Sequence, residues 1–482
     1  MAVRSQTFAG WSADRRTSTL VLLGGMVLAL VAGYFAAQGH DRLTVVSAVG
    51  LPIAIIMFTS PWTAVMLWLA VVPLFVVGSG VAGPETWLLH RLFIPGMVAM
   101  ALIYRVFGLS RSQFRLSVVD GVLVVFLALA LANVQLFSPN PGRMSVSLYD
   151  HIALPIFLYW LVRLLEPTEE QLKRLMWVFL WLIALQTAVA ALSWVAPGLL
   201  PGQWLGRAGE RAAGTVGGPG PYTVTIVVAA LFAVPFIQRT REDLSRWLLY
   251  GAVIVAYIGV AISFSRGSWL GAALALAGLF FFERRTAVRL IAVFALGGIL
   301  LLAGPFSGQL LFAANRLGDS DTAESRLVTN NAALRMISER PLTGFGYGNF
   351  ELYDESYKVR VGDLPAEEGS AHHTYLALAA ENGLPALVLY ILPAVILLVL
   401  TLRRWRVIRT RHPLSAQLIA VLWLAIVHQV TVTNFMDMLH SSGWGTSLWW
   451  LTLGLIHVLI STGSRPPEIR RVGWTVPAEL KP

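Results

Sequence analysis

The stretch GLPALVLYILPAVILLVLTL, residues 383–402, carries no charged side chain. A helix crosses the hydrocarbon of a bilayer with about 20 mostly apolar residues, so this run reads as a transmembrane helix. Arg403, Arg404, Arg406, Arg409 and Arg411 follow it directly. Lys and Arg collect on the cytoplasmic side of spans. The run therefore leaves the membrane inward, and the segment before it starts from the outer face.

Outward from this anchor, about 14 stretches (12–14 with the marginal ones) are long and apolar enough to span. They lie near residues 19–38, 44–59, 61–80, 87–104, 119–137, 149–165, 174–196, 221–238, 247–264, 267–282, 289–306, 383–402, 415–434 and 443–461. The second and third are separated by Pro61 and can equally form one broken element. Composition agrees with an all-α polytopic membrane protein. Of the 482 residues, 56% are apolar and 13% are charged, where soluble domains carry roughly 25% charge. A soluble enzyme, a disordered chain and a secreted disulfide scaffold are excluded. Cys is absent, which removes thiolate metal sites and Cys nucleophiles. The 17 Trp suit the aromatic belts of a membrane interface.

With the N-terminus in the cytoplasm, 24 of the 36 Lys and Arg fall on the inner side and 12 on the outer. The net charge of +10 is then largely a topology signal. Nucleic acid would require a basic face with stacking aromatics on a soluble module, and none is visible. The first 40 residues read as an uncleaved first span, because no small-residue cleavage site follows the apolar run. The chain divides into residues 1–306, a first group of spans that includes an outer loop at 197–221; an outer segment at 307–382; a last group of spans at 383–461; and a cytoplasmic tail at 462–482.

The loop 197–221 is rich in Gly and Pro and carries Arg207, Glu210 and Arg211. Such a backbone turns sharply and exposes N–H groups. The segment 307–382 holds nearly half of the acidic residues and reads as mostly helical. A helix is expected from Thr322 to Arg340, stopped by Pro341. A second is expected to begin near Ser370. Long structured loops are usually functional, so soluble parts of this size on the outer face imply a substrate presented there. No nucleoside triphosphate is expected on that face, and the substrate should arrive already activated.

Few residues in this chain can carry chemistry. Arg266 lies in Ser263-Phe264-Ser265-Arg266-Gly267-Ser268-Trp269, at the outer junction of two spans. It reads either as an Arg snorkelling to the interface or as a bidentate phosphate ligand. Arg207 and Arg211 share a helical spacing and read as solvated charges or as further anion ligands, with Gly214, Gly217 and Gly218 bringing backbone donors close. His372 and His373 read as a capping pair or as a general base with an orienting neighbour. No third ligand makes the pair a zinc site, and no metal or other cofactor is expected. His428 reads as a buried interhelical hydrogen-bonder, Asp120 as a helix cap, and Asp437 and His440 as solvated loop residues.

Assembled, these segments resemble the O-antigen ligase and O-antigen polymerase superfamily of bacterial membrane glycosyltransferases. Ala371-His372-His373-Thr374-Tyr375-Leu376, followed by Glu381-Asn382-Gly383-Leu384-Pro385-Ala386-Leu387, is similar to the family's His-Asn-x-Tyr-Leu run and its Glu-x-Gly-Leu-x-Gly-Leu span start. His373 stands in place of Asn, and Ala386 in place of the second Gly. Arg340-Pro341-Leu342-Thr343-Gly344-Phe345-Gly346-Tyr347-Gly348-Asn349-Phe350 resembles its P-x-x-G-x-G-x-G-x-F stretch. Ser265-Arg266-Gly267 with Gly271 resembles its Ser-Arg-Gly-x-x-x-Gly segment, and Arg211-Ala212-Ala213-Gly214 its outer Arg-x-x-Gly loop.

The resemblance implies transfer of a glycan from an undecaprenyl-diphosphate carrier to an acceptor hydroxyl at the periplasmic face of the bacterial inner membrane. The acceptor would be a second glycan or a lipid A-core. The chemistry would be inverting and independent of metal. It implies His372 as base, Arg211 and Arg266 on the diphosphate with Arg207 and Arg340 in support, and His373, Tyr347 and Tyr375 as positioning groups. A polymerase of O-antigen or exopolysaccharide using the same donor is the nearest alternative. A flippase for a lipid-linked oligosaccharide is the alternative of another class.

Overall fold

The computed structural model describes residues 56–57, 59–74, 84–108, 110, 112–205, 211–292, 321–358 and 371–464. Those residues form helices and turns, with no strand among them. In chain order the helices are α1 (Pro61–Val71), α2 (Pro84–Val106), α3 (Val118–Phe137), α4 (Pro141–Leu148), α5 (Leu154–Leu165), α6 (Glu169–Val195), α7 (Pro219–Ile237), α8 (Asp243–Ile262), α9 (Arg266–Phe282), α10 (Asp321–Glu339), α11 (Phe350–Tyr357), α12 (Thr374–Arg411), α13 (Pro413–Thr433), α14 (Met438–Ser441) and α15 (Gly443–Gly463). Eight of the described helical segments are long and apolar enough to cross a membrane. α9 is a shorter apolar helix of 17 residues. The span expected at 19–38, and most of those at 44–59 and 289–306, lie outside the described residues.

Sequence dictates which helices go inside. α7 reads PGPYTVTIVVAALFAVPFI, apolar all round and without charge, and such a helix belongs in the interior. It is buried along its whole length and packs against α6, α8 and α13. α15 is nearly as buried and packs mainly on α5. α3, α8 and α12 lie outside this centre and leave most of their apolar surface uncovered, as helices do when hydrocarbon is the solvent.

Helix ends follow local rules. Ser117 and Asp120 form a capping box at the start of α3, as read from the sequence. Asp120 also meets Trp160 at 3.0 Å and pairs with buried Arg163. Thr168 and Gln171 form the capping box of α6. α4 and α5 are one span joined by a π-helical turn, Tyr149–Ala153, so this span begins earlier than residue 149. π turns cluster at functional sites, and this one displays Asp150, which takes a bidentate pair from Arg91 (2.7 and 2.6 Å).

The described helices alternate in direction. Arg105, Arg163, Arg239, Arg284 and Arg403–Arg411 all fall at one end of the bundle. The other end gathers the C-terminus of α3, the π turn, the N-termini of α7 and α9, the 341–350 turn, the start of α12 and the 434–442 connection.

Candidate functional site

The glycine-rich turn and the start of α12 are hydrogen-bond partners of one another. Pro385 has no N–H, so the Glu381 carbonyl has no donor one helical turn later. Gly383 breaks the ladder with φ +81°, and the Leu384 N–H turns to Pro341 C=O (2.8 Å). The carbonyls thus released accept from the turn: Phe345 N–H donates to Ala380 C=O (3.0 Å) and Gly346 N–H to Glu381 C=O (2.8 Å). Asn133, near the end of α3, spans the join. Its Nδ2 donates to Thr343 C=O (2.6 Å), and its Oδ1 accepts Tyr347 N–H (2.8 Å).

Two glycines make this crossing possible. A Cβ on Gly344 would stand 2.3 Å from the Glu381 carbonyl carbon, and one on Gly383 would stand 2.3 Å from Leu342 O. Gly344 also has φ +64°. Gly344→Ala is therefore expected to lose about 1–3 kcal/mol to the left-handed backbone alone, with the backbone collision added. A thermal melt in detergent reads this. A melting temperature equal to that of the wild type would show that the crossing is not tight.

The 434–442 connection is the hub of this end. Phe435 packs where a Cβ on Gly267 would stand, beside Arg266. Met436 fills the space against Gly218 and Gly220, at the start of α7. Thr374 Oγ1 donates to Met436 C=O and accepts Met438 N–H, both at 2.9 Å. Asp437 is 3% exposed. Its Oδ1 accepts Leu439 N–H (3.0 Å), and its Oδ2 lies 2.6 Å from His440 Nδ1. His440 Nε2 forms an ion pair with Glu381 Oε2 at 2.9 Å. Glu381 is 1% exposed, and its Oε1 accepts Phe350 N–H (3.0 Å). The Tyr347 ring lies on the His440 imidazole with centroids 4.8 Å apart. The reading of Asp437 and His440 as solvated is thus corrected: Asp437 is buried and His440 half-buried, and both are built into one charged cluster. Burial raises the Asp437 carboxyl, but the cationic His440 and the hydrogen bonds outweigh it and hold the pKa below its usual range. Burial lowers the His440 imidazole, but Asp437 and Glu381 outweigh it and hold the pKa well above its ordinary value.

The residues expected to carry chemistry fall as follows. His372 adopts φ +44°, rare for a side chain of this size, between buried Ala371 and the locked Thr374. His373 is the N-cap of α12: its Nδ1 accepts Leu376 N–H at 3.3 Å, and burial lowers its pKa. Its ring meets Tyr375 edge-on at 5.9 Å. Tyr375 faces inward, with its hydroxyl 3.2 Å from Thr433 Oγ1, and lines a small cavity with Gln429 and Trp449. Tyr347 is fully buried, so any positioning it does acts through His440. Arg266 is the first residue of α9. Arg211 opens a turn whose Thr215 and Gln186 bond each other twice (2.9 and 2.7 Å). Arg340 is exposed and lies 4.5 Å over the Phe345 ring. Arg207 lies outside the described residues. His428 is fully buried and set against Gly271, with backbone groups of Gly271 in α9 and Thr223 in α7 facing its ring, as a buried interhelical histidine is expected to be.

Sequence reasoning missed Asn133, Glu381, Asp437 and His440. Asp437 and His440 stand three residues apart in a short connection between two spans, a spacing that allows one turn to pair them. Asn133 is a lone amide in an apolar helix, which in a membrane implies a partner.

Fold and site together define a polytopic all-α membrane protein with a buried, charged cluster and cationic helix ends at one end of the bundle. Residues 250–391 match the family model described as O-antigen ligase, and the resemblance read from the motifs holds there. Over residues 250–391 the chain is thus similar to O-antigen ligases. The match includes Arg266, Arg340, Tyr347, His372 and Glu381, and stops before Asp437 and His440. Among curated proteins, none matches the chain.

Proposed function

We propose that this protein transfers a glycan from an undecaprenyl-diphosphate donor to an acceptor hydroxyl at the periplasmic face of the inner membrane, as an O-antigen ligase does. His372 takes the acceptor proton. The acceptor oxygen forms its bond to the anomeric carbon as the bond from that carbon to the diphosphate oxygen breaks, with inversion. Arg211 and Arg266 stabilise the charge that grows on the departing diphosphate, with Arg207 and Arg340 in support. Both chain termini lie in the cytoplasm, so the basic end of the bundle faces inward. The observation that carries this reading is convergence. The Arg266 helix end, the turn that follows Arg211 and the segment after His372 all pack on residues 435–438. The lipid fits the same arrangement, with its tail in hydrocarbon, its diphosphate at the interface and its sugar outside. A polymerase would share donor and chemistry and differ in acceptor.

The test is transfer by the purified protein in proteoliposomes containing a lipid-diphosphate glycan, with a lipid A-core or a second lipid-linked unit as acceptor. Product with the first marks a ligase, and product with the second a polymerase. Movement of donor across the bilayer without product would overturn the proposal in favour of a flippase. Transfer is expected to persist after exhaustive chelation with EDTA, because arginines supply the positive charge. Loss that a divalent ion restores would refute an arginine-only diphosphate site.

A further inference from the structure

We propose that His440 is a positioning residue. Clamped as a cation between Glu381 and Asp437, it fixes the first turns of α12 to the 434–441 segment and so sets His372 for the transfer step. This rests on the glycan-transfer reading of His372.

Both ring nitrogens of His440 face carboxylates, Nδ1 at 2.6 Å from Asp437 and Nε2 at 2.9 Å from Glu381. A neutral imidazole offers one N–H and one lone pair, and a lone pair aimed at a carboxylate is repelled. Nδ1 is hydrogen-bonded to Asp437, and the Nε2–Glu381 contact is a close ion pair without hydrogen-bond alignment. Two carboxylates at this range favour the imidazolium, which has no lone pair left to accept a proton, and this separates His440 from a general base. Its position explains what it does instead. Asp437 belongs to the segment that touches Gly218, Gly220, Gly267 and Thr374. Glu381 belongs to α12, two turns after His372, and also holds Phe350 at the end of the glycine-rich turn. One cation therefore adds a tie between the 434–441 segment and α12 and, through Glu381, reaches the end of the glycine-rich turn.

His372 has reason to need this. A side chain at φ +44° costs of order 1–3 kcal/mol and persists only where its surroundings over-determine it. Thr374 supplies one tie from α12 to 436–438, and the cation supplies the other. The groups facing the imidazole are Glu381 from α12, Asp437 from its own connection, Tyr347 from the glycine-rich turn and His151 from the π turn. The two carboxylates dominate.

The sign of the pH dependence follows. His440 is held above its ordinary value, so its contribution is complete at low pH and is lost as pH rises through the folded value. Asp437 is held below its ordinary value, so its contribution is lost as pH falls through that lowered value. The clamp is intact between the two.

The experiment uses the full chain in nanodiscs. His440→Gln is expected to lower kcat for transfer by about 10²-fold, with KM for the lipid-linked donor nearly unchanged, since no substrate contact is removed. His440→Arg, which keeps a charge at any accessible pH, is expected to restore part of the rate and to carry activity past the alkaline limb of the wild type. In 15N-histidine NMR, His440 is expected to titrate well above the ordinary imidazole range. Glu381→Gln, which retains an oxygen for Phe350 N–H, is expected to bring it down. An unchanged kcat in His440→Gln, an alkaline limb that stays in place in His440→Arg, or an ordinary titration of His440 would each overturn the proposal. Absence of transfer by the wild type would overturn the glycosyl-transfer reading and this role within it, and the NMR titration would still decide whether the clamp exists.

Discussion

His372→Ala is expected to reduce glycan transfer by about 10²–10⁴-fold, the range in which a positioned base contributes. The loss should appear in kcat. An acceptor hydroxyl is a poor nucleophile until its proton leaves, and the imidazole removes that proton as the new bond forms. The fold is expected to survive. Ala meets the same left-handed backbone at this position, and the ties around it run through Thr374, His373 and Glu381. A thermal melt beside the transfer assay separates the two effects. Full transfer by a folded His372→Ala protein would remove His372 from the chemistry. The neighbouring residue sharpens the assignment, because His373 Nδ1 is occupied by the Leu376 amide, and His373 serves α12 as its cap.

Much of this protein can be read without coordinates, for reasons of scale. A span is a property of about 20 residues, and one error in the run does not change it. α7, α13 and α15 therefore appear where their apolar stretches predict. Boundaries depend on single bonds and are less legible. The run at 383–402 looks like a helix that starts at Gly383, yet α12 starts at Thr374 and bends at Gly383. Only the partner strand of backbone, Pro341 to Gly346, shows that the bend is where carbonyls are released for the turn to capture. The helix expected at Thr322–Arg340 agrees with Asp321–Glu339 because Pro341 is a local stop.

The site divides in the same way. The two glycine motifs can be matched in sequence, but their mutual hydrogen bonding cannot. Asp437 and His440 look like any polar pair on a loop until Glu381 arrives from α12 and Tyr347 closes over the ring. Burial of that cluster is a tertiary fact, and no local pattern in residues 434–442 encodes it. The 250–391 match does not reach this segment either, so geometry alone brings it into the site.

Arg266→Ala and Arg211→Ala are each expected to lower transfer by about 10²–10³-fold, as loss of one preorganised donor does. Arg266 has the stronger structural case. It opens α9, whose first turn carries no acidic residue, so the positive end of the helix dipole is left to act with the guanidinium on an anion. Arg211 approaches from a separate loop. Gly214 is pressed onto Gln186 and Tyr222, and Thr215 is bonded to Gln186, which fixes the chain directly after Arg211. Phe435 and Met436, consecutive in sequence, touch the starts of α9 and α7, so the two arginine-bearing segments flank one short connection. If both side chains grip one diphosphate, their effects should not add: the double variant should fall well short of the product of the single losses. Arg266→Lys should recover only part of the rate, because an ammonium keeps the charge and gives up the bidentate fork. Single and double variants, assayed for kcat and for KM of the lipid-diphosphate donor, decide the matter. Effects that multiply fully would place the arginines on different groups, and an Arg266→Ala protein with the wild-type rate would leave that helix end as no more than an interface anchor.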